Sequence, residues 1–378
     1  ALLMISVLRT SINYKTYIGF GPMSSHSSGV TMDKSQKRWL VISLGISFAV
    51  LFVMLILTFD TSTLDELRKC NPWIILLALV MHIFSLGFWA LRIKFMCRSL
   101  GYRVPFFHSF NLVCSNMFLA SVTPSQIGGE PVRVYELTKA DVPGGEATAV
   151  VIMERVFDAV VLAAGTVISV FLLGMFFADL AFPEAYMIIA YIAAFVFAAL
   201  LLLFLIVAKN QAWSNKVINK LLHLLGRKKS PDIIREYQRK IDIHLEKFYA
   251  TLRHFTGKSK AGMFYGLLFS ALYWINEFVI ASVLMIGLGL PPNVLLAFIF
   301  MILITVIMMI PLTPGGVGIA EVSMGGFFAL IIPTSLLGVF VLLWRLIMYY
   351  FNLVIGFAAS MIIVRREAKI KKDDPVNL

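Results

Sequence analysis

The sequence predicts an all-α polytopic membrane protein, with about six full spans and two re-entrant or broken helical hairpins arranged as an inverted repeat. Three observations predict this. First, 59% of the 378 residues are hydrophobic, 14% are charged, and mean hydropathy is +0.86. Soluble domains are roughly 45–50% apolar and about 25% charged. Second, the excess falls in runs of about 20 apolar residues, enough to cross roughly 30 Å of hydrocarbon. Third, two segments of similar sequence, each broken by Pro and Gly, interrupt those runs at corresponding places.

Residues 1–31 read as an extension preceding the membrane domain: Ala1–Leu8 is too short to span, and a Ser/Gly-rich stretch follows. The first membrane half, 32–208, opens with Lys34, Lys37 and Arg38 ahead of a span at Trp39–Phe59. A second span covers about Trp73–Leu91, followed by a basic loop with Arg92, Lys94, Arg98 and Arg103. Segment 106–146 is the first broken hairpin, and spans at about Val150–Phe177 and Ala185–Ala208 close the half. Residues 209–260 form a basic loop, with 13 Lys/Arg against 4 Asp/Glu. Within it, Ile234, Tyr237, Ile241, Leu245, Phe248, Leu252 and Phe255 recur at helical spacing, predicting an amphipathic helix on the anionic inner leaflet. The second half, 261–364, holds apolar blocks at Ala261–Leu290 and Ser335–Val364 around the second broken hairpin, 293–333. A basic tail, 365–378, ends the chain.

The N-terminal stretch from residue 32, the loops at 92–103 and 209–260, and the tail together carry 25 of the 33 Lys and Arg residues. Basic residues crowd cytoplasmic loops, which places both termini in the cytoplasm of a multi-pass cell-membrane protein. It also accounts for the net charge of +12 without nucleic acid as a partner. With that orientation the hairpins enter from opposite faces. Non-helical backbone at membrane depth is tolerated only where protein buries it or it lines a wet cavity.

The hairpins resemble each other. Thr123-Pro124-Ser125-Gln126-Ile127-Gly128-Gly129-Glu130 matches Thr313-Pro314-Gly315-Gly316-Val317-Gly318-Ile319-Ala320-Glu321. Arg155 lies 32 residues after Thr123, and Arg345 lies 32 after Thr313. A span, a broken hairpin and an Arg-bearing span therefore recur with opposite topology, which is how inverted-repeat transporters are built.

A half-helix beginning after Gly128–Gly129, or after Gly315, Gly316 and Gly318, would present an anion site at its N-terminus. Arg133, Arg155 and Arg345 would add positive charge able to grip a phosphate. Glu130, Glu154, Asp158, Glu277 and Glu321 would pair with the arginines, meet a cationic headgroup or carry a coupling proton. Glu154 and Asp158 fall on one helical face. Charges at mid-bilayer cost about 2.5–3.5 kcal/mol each, so they are functional or paired by default. His82 and His108 read as packing residues on apolar segments. Soluble-enzyme motifs are absent, and neither a cofactor nor a metal site is expected. The three cysteines imply no disulfide framework.

Thr123–Glu130 with Arg133, Pro311–Glu321, and Glu154-Arg155-x-x-Asp158 resemble the membrane region of lysylphosphatidylglycerol synthases, a flippase-like family, over about Trp39–Val364. The resemblance implies movement of a lipid headgroup between leaflets. Only 14 residues follow Val364, so it implies a stand-alone member lacking the soluble aminoacyltransferase domain. The expected substrate is an anionic phospholipid, an aminoacylated phospholipid or a polyprenyl-phosphate-linked headgroup, and a homo-oligomer is compatible with it. A membrane-embedded lipid-modifying transferase and a non-catalytic membrane partner are the alternatives, so enzyme activity stays open.

Overall fold

The computed structural model describes residues 70–122, 129–176, 260–309 and 316–373, with Arg68 and isolated positions between 188 and 257. The expected extension at 1–31, the span at Trp39–Phe59, nearly all of the span at Ala185–Ala208, and Gly128 and Gly315 lie outside these residues. Every regular element among the described residues is helical.

Among the described residues, four helices are long and apolar enough to cross a membrane: α1 (Pro72–Ser99), α4 (Gly144–Phe176), α5 (Lys260–Gly287), and the continuous segment Thr334–Ile363. The last comprises α8 (Thr334–Arg345), a π turn at Leu346–Tyr350 and the start of α9 (Phe351–Asp373). Between the spans stand two pairs of shorter helices. The pair α2 (Phe106–Val122) and α3 (Gly129–Lys139) occupies the first expected hairpin; α6 (Val294–Met308) and α7 (Ile319–Phe328) occupy the second. At 1.5 Å per residue, α3 and α7 are only about 15–17 Å long, roughly half of the 30 Å core.

α1 begins cleanly because Asn71 accepts from the Trp73 N–H and Pro72 needs no donor partner. It runs on to Ser99, eight residues beyond the expected span end. Arg92, Lys94 and Arg98 therefore lie in the helix and not in a loop, and Arg92 is fully buried. The turn that follows is tied to the start of α4: the Tyr102 phenol hydrogen-bonds the Glu146 carboxylate, which pushes its pKa up to about 12.

α1 and α5 pack antiparallel along their lengths. The Asn71 N–H donates to the Gly287 carbonyl at one end (2.8 Å), and a Cβ at Gly262 would strike Ser99 at the other. In the middle, the Asn276 amide donates to the Met81 carbonyl and the Ser85 hydroxyl. α2 and α3 then pack in sequence from α1 to α4, as α6 and α7 pack from α5 to α8. Two apolar clusters fill the interior, one around α5, α6, α7 and α8, the other around α1, α2 and the first half of α4. Phe255, the described member of the expected amphipathic stripe, is fully buried in the second cluster, so at that position the stripe meets protein.

Small residues set the closest helix approaches, as in other membrane bundles. A Cβ at Gly356 of α9 would collide with the Cys114 carbonyl and Phe118 on α2. Gly356→Ala should therefore destabilise the fold by about 1–3 kcal/mol, because backbone cannot yield as a side chain does. Thermal unfolding in detergent beside Gly87→Ala, where a Cβ meets nothing within 4 Å, measures this. Equal midpoints would contradict it.

Candidate functional site

The two helix breaks prepare two similar ion pairs. In the second, Gly316 and Gly318 adopt φ of +66° and +84°, in the left-handed region open to glycine. This lets α7 start at Ile319 with Glu321 in its first turn. The Glu321 carboxylate accepts the Gly318 N–H at 2.7 Å, capping its own helix. It also takes both Nε and Nη2 of Arg345 at 2.8 Å each. In the first, α3 starts at Gly129, where a Cβ would collide with Asn116 on α2. Glu130 in its first turn accepts Arg155 Nε at 2.9 Å. The pairs differ in burial. The Arg345 and Glu321 side chains are 2% and 0% exposed, those of Arg155 and Glu130 42% and 39%.

A third cluster joins α1, α3, α4 and α5. Arg92 donates from Nε to Glu154 (3.1 Å), and from Nη1 to Asp158 and Ser270 (2.6 Å each). Glu154 also accepts Arg133 Nη1 (3.1 Å) and Trp89 Nε1 (2.8 Å). Trp274 Nε1 reaches Asp158 at 3.1 Å. Both guanidiniums lie 5.4 Å from the centre of the Trp89 ring. Two carboxylates and two guanidiniums thus neutralise one another among buried side chains, with Asp158 at the edge nearest the cavity. Arg133 retains Nε and Nη2 without partners, and Ser109 and Asn116 hold further unpaired oxygens.

A fourth contact crosses from α1 to α5 and α9. His82 Nδ1 lies 2.8 Å from Glu277 Oε1, and Nε2 lies 3.0 Å from Asn352 Oδ1. His82 is thus more than a packing residue. His108 Nε2 lies 2.9 Å from the Glu136 carbonyl.

A cavity of about 380 Å³ connects these groups. Of the residues singled out in the sequence, Glu130, Arg155, Asp158, Glu277 and Arg345 line it. Arg133, Glu154, Glu321, Gly129, Gly316 and Gly318 are not among its lining residues. His82, Asn352 and Trp274 belong to the lining and were not foreseen; nor was Arg92, which supports Asp158. The remaining wall is largely apolar, including Met301, Met308 and Met348. Arg155 lies eleven residues into α4 and Arg345 eleven into its span, about 17 Å along each helix. The π turn begins directly after Arg345, and such turns are frequent at functional sites. Among the described residues, no group of three or more His, Cys, Asp or Glu is placed to hold a metal ion.

These features define an integral membrane protein with a charged internal cavity bounded by interrupted helices. The chain belongs to the family of the lysylphosphatidylglycerol synthase transmembrane region, whose model matches residues 40–356. It is 32% identical to a UPF0104 membrane protein of Archaeoglobus fulgidus over 84% of this chain and 94% of the relative. It is 28% identical to a UPF0104 membrane protein of Methanocaldococcus jannaschii over 88% and 96%. A similar protein of Methanothermobacter thermautotrophicus is 29% identical over 78% and 87%.

Proposed function

We propose that this protein moves a lipid headgroup between the leaflets of the cell membrane. The headgroup is that of an anionic phospholipid, an aminoacylated phospholipid or a polyprenyl-phosphate-linked lipid. The observation that carries this reading is the cavity, which brings Glu130–Arg155, Asp158, Glu277 and Arg345 together inside an otherwise apolar bundle. A passing headgroup needs such a polar path, while its acyl chains remain in lipid.

The two halves are related as an inverted repeat. The antiparallel packing of α1 and α5, the short-helix pairs, and the arginines eleven residues into their spans support this. Substrate sites in such proteins lie near the midplane, at the repeat interface, beside discontinuous helices. The positive-inside pattern supports cytoplasmic termini and a basic segment 209–260 on the side of the anionic inner leaflet, with its stripe packed against protein at Phe255.

Each arginine expected to meet a phosphate holds a carboxylate instead. An isolated guanidinium at this depth would carry a desolvation cost, which the carboxylate offsets until a substrate arrives. Arg155 is the first point of contact, because its pair is half exposed and a phosphate can displace Glu130 with little loss.

Fluorescent phosphatidylglycerol in proteoliposomes, read with a membrane-impermeant quencher, tests the proposal. The wild type should bring inner-leaflet lipid to the outside faster than empty liposomes, and Arg155→Ala should slow this at least tenfold while leaving the unfolding temperature nearly unchanged. Rates equal to empty liposomes for phosphatidylglycerol, an aminoacylated phospholipid and a polyprenyl phosphate would reject it.

A further inference from the structure

We propose that His82 and Glu277 form a proton-binding site at mid-membrane, through which a proton gradient drives the movement of lipid; this rests on the transport reading above. The tautomer argument begins at Asn352. Its Nδ2 donates to the Met348 carbonyl at 2.8 Å, and a carbonyl can only accept, so the amide oxygen is the atom that faces His82. His82 Nε2, 3.0 Å from that oxygen, must then carry a hydrogen. In a neutral imidazole this leaves Nδ1 with a lone pair. Yet Nδ1 lies 2.8 Å from Glu277 Oε1. A lone pair facing a carboxylate oxygen at that distance is repulsive. The contact holds only with one further proton between the two atoms, as an N–H on Nδ1 or an O–H on Glu277. The geometry is that of the proton-loaded site. Losing that proton breaks one N–H or O–H bond, leaves two lone pairs in contact, and pushes α1 from α5.

The site lies at the right depth. The start of α1 is bonded to the end of α5 through Asn71 and Gly287. His82 is ten residues in from Pro72 and Glu277 ten residues back from Gly287, so both lie about 15 Å from that shared end, half of the roughly 30 Å core. Both side chains line the cavity, so a proton can reach them through water.

The surrounding charges leave this pair as the one free to change. From α4, Arg155 and Asp158 face the cavity; from α3, Glu130; from α8, Arg345; from α5, Tyr273; and from the π turn, Tyr349. Asp158 is held by Arg92, Glu130 by Arg155, and Arg345 by Glu321. Among the described residues that line the cavity, Glu277 is the carboxylate whose charged partner is a histidine in place of an arginine. An arginine stays protonated at any physiological pH, whereas histidine changes charge within that range.

The test uses proteoliposomes with imposed pH differences of either sign and fluorescent phosphatidylglycerol. Wild-type rates should differ at least tenfold between the two gradient directions, and Glu277→Gln and His82→Gln should each bring that ratio within twofold. Proton uptake by the purified protein, followed with a pH indicator dye in weak buffer between pH 9 and pH 5, reads the site without any transport. The wild type should bind one proton more per chain than Glu277→Gln. A gradient-insensitive wild type that still moves lipid would overturn this proposal and leave the transport reading standing. Undiminished uptake by Glu277→Gln would overturn it as well. Absent lipid movement alongside the extra bound proton would instead sink the transport reading, and proton-driven lipid transport with it.

Discussion

Replacing Arg92 by leucine should be among the most destabilising single substitutions in this protein, at about 3–5 kcal/mol, because it strands charge rather than merely removing a contact. Arg92 is fully buried and gives hydrogen bonds to Glu154, Asp158 and Ser270. Without it, Glu154 keeps Arg133 and Trp89, but Asp158 keeps only the neutral Trp274 indole. An ionised carboxylate left so, nearly buried at the wall of a largely apolar cavity, must either take up a proton or draw in more water. The loss should appear as a sharp fall in yield and in the unfolding temperature in detergent. Adding Asp158→Asn to Arg92→Leu should recover a substantial part of it, since the second change removes the stranded charge. A double variant no more stable than Arg92→Leu alone would contradict this, and a double-mutant cycle gives the coupling directly.

The fold was legible in the sequence to the extent that hydrophobic length and backbone breaks determine it. The four described spans follow from runs long enough for the bilayer, and the glycine-rich breaks at residues 123–130 and 313–321 mark where short helices begin. Boundaries were less legible. Arg92 stands at the end of an apolar run, and a basic residue there looks like the start of a cytoplasmic loop. Only the acids on α4, about 60 residues away, make its burial tolerable.

The same limit applies to the site. Carboxylates and arginines on apolar helices announce themselves by the cost of placing them there. Their pairing does not, because Glu130 with Arg155 and Glu321 with Arg345 are separated by a helix turnaround that only the fold closes. His82 carried no such signal. A lone histidine on an apolar segment is ordinary, and its partners lie 195 and 270 residues further on. One clue was present: Glu277 on an apolar span needs a proton or a cation, and no arginine or lysine stands within one turn of it.

Arg155 and Arg345 should respond to removal very differently, although each lies eleven residues into its helical span. Arg345→Ala takes the guanidinium away from a Glu321 carboxylate that is 0% exposed and caps α7 through the Gly318 N–H. That should cost about 3–5 kcal/mol, as for any buried ion pair that loses one member. It should also lower lipid movement at least a hundredfold, because Arg345 lines the cavity and fixes the start of α7 through Glu321. Arg155→Ala removes a pair already about 40% exposed, worth roughly 0–1 kcal/mol. Adding Glu321→Gln to Arg345→Ala should restore most of the stability and little of the transport. Stability and function would then separate at one site, showing that the buried pair orders the break while the guanidinium serves the cavity. Recovery of both would reduce Arg345 to a structural residue. Equal unfolding temperatures for Arg155→Ala and Arg345→Ala would contradict burial as the source of the difference between the two pairs.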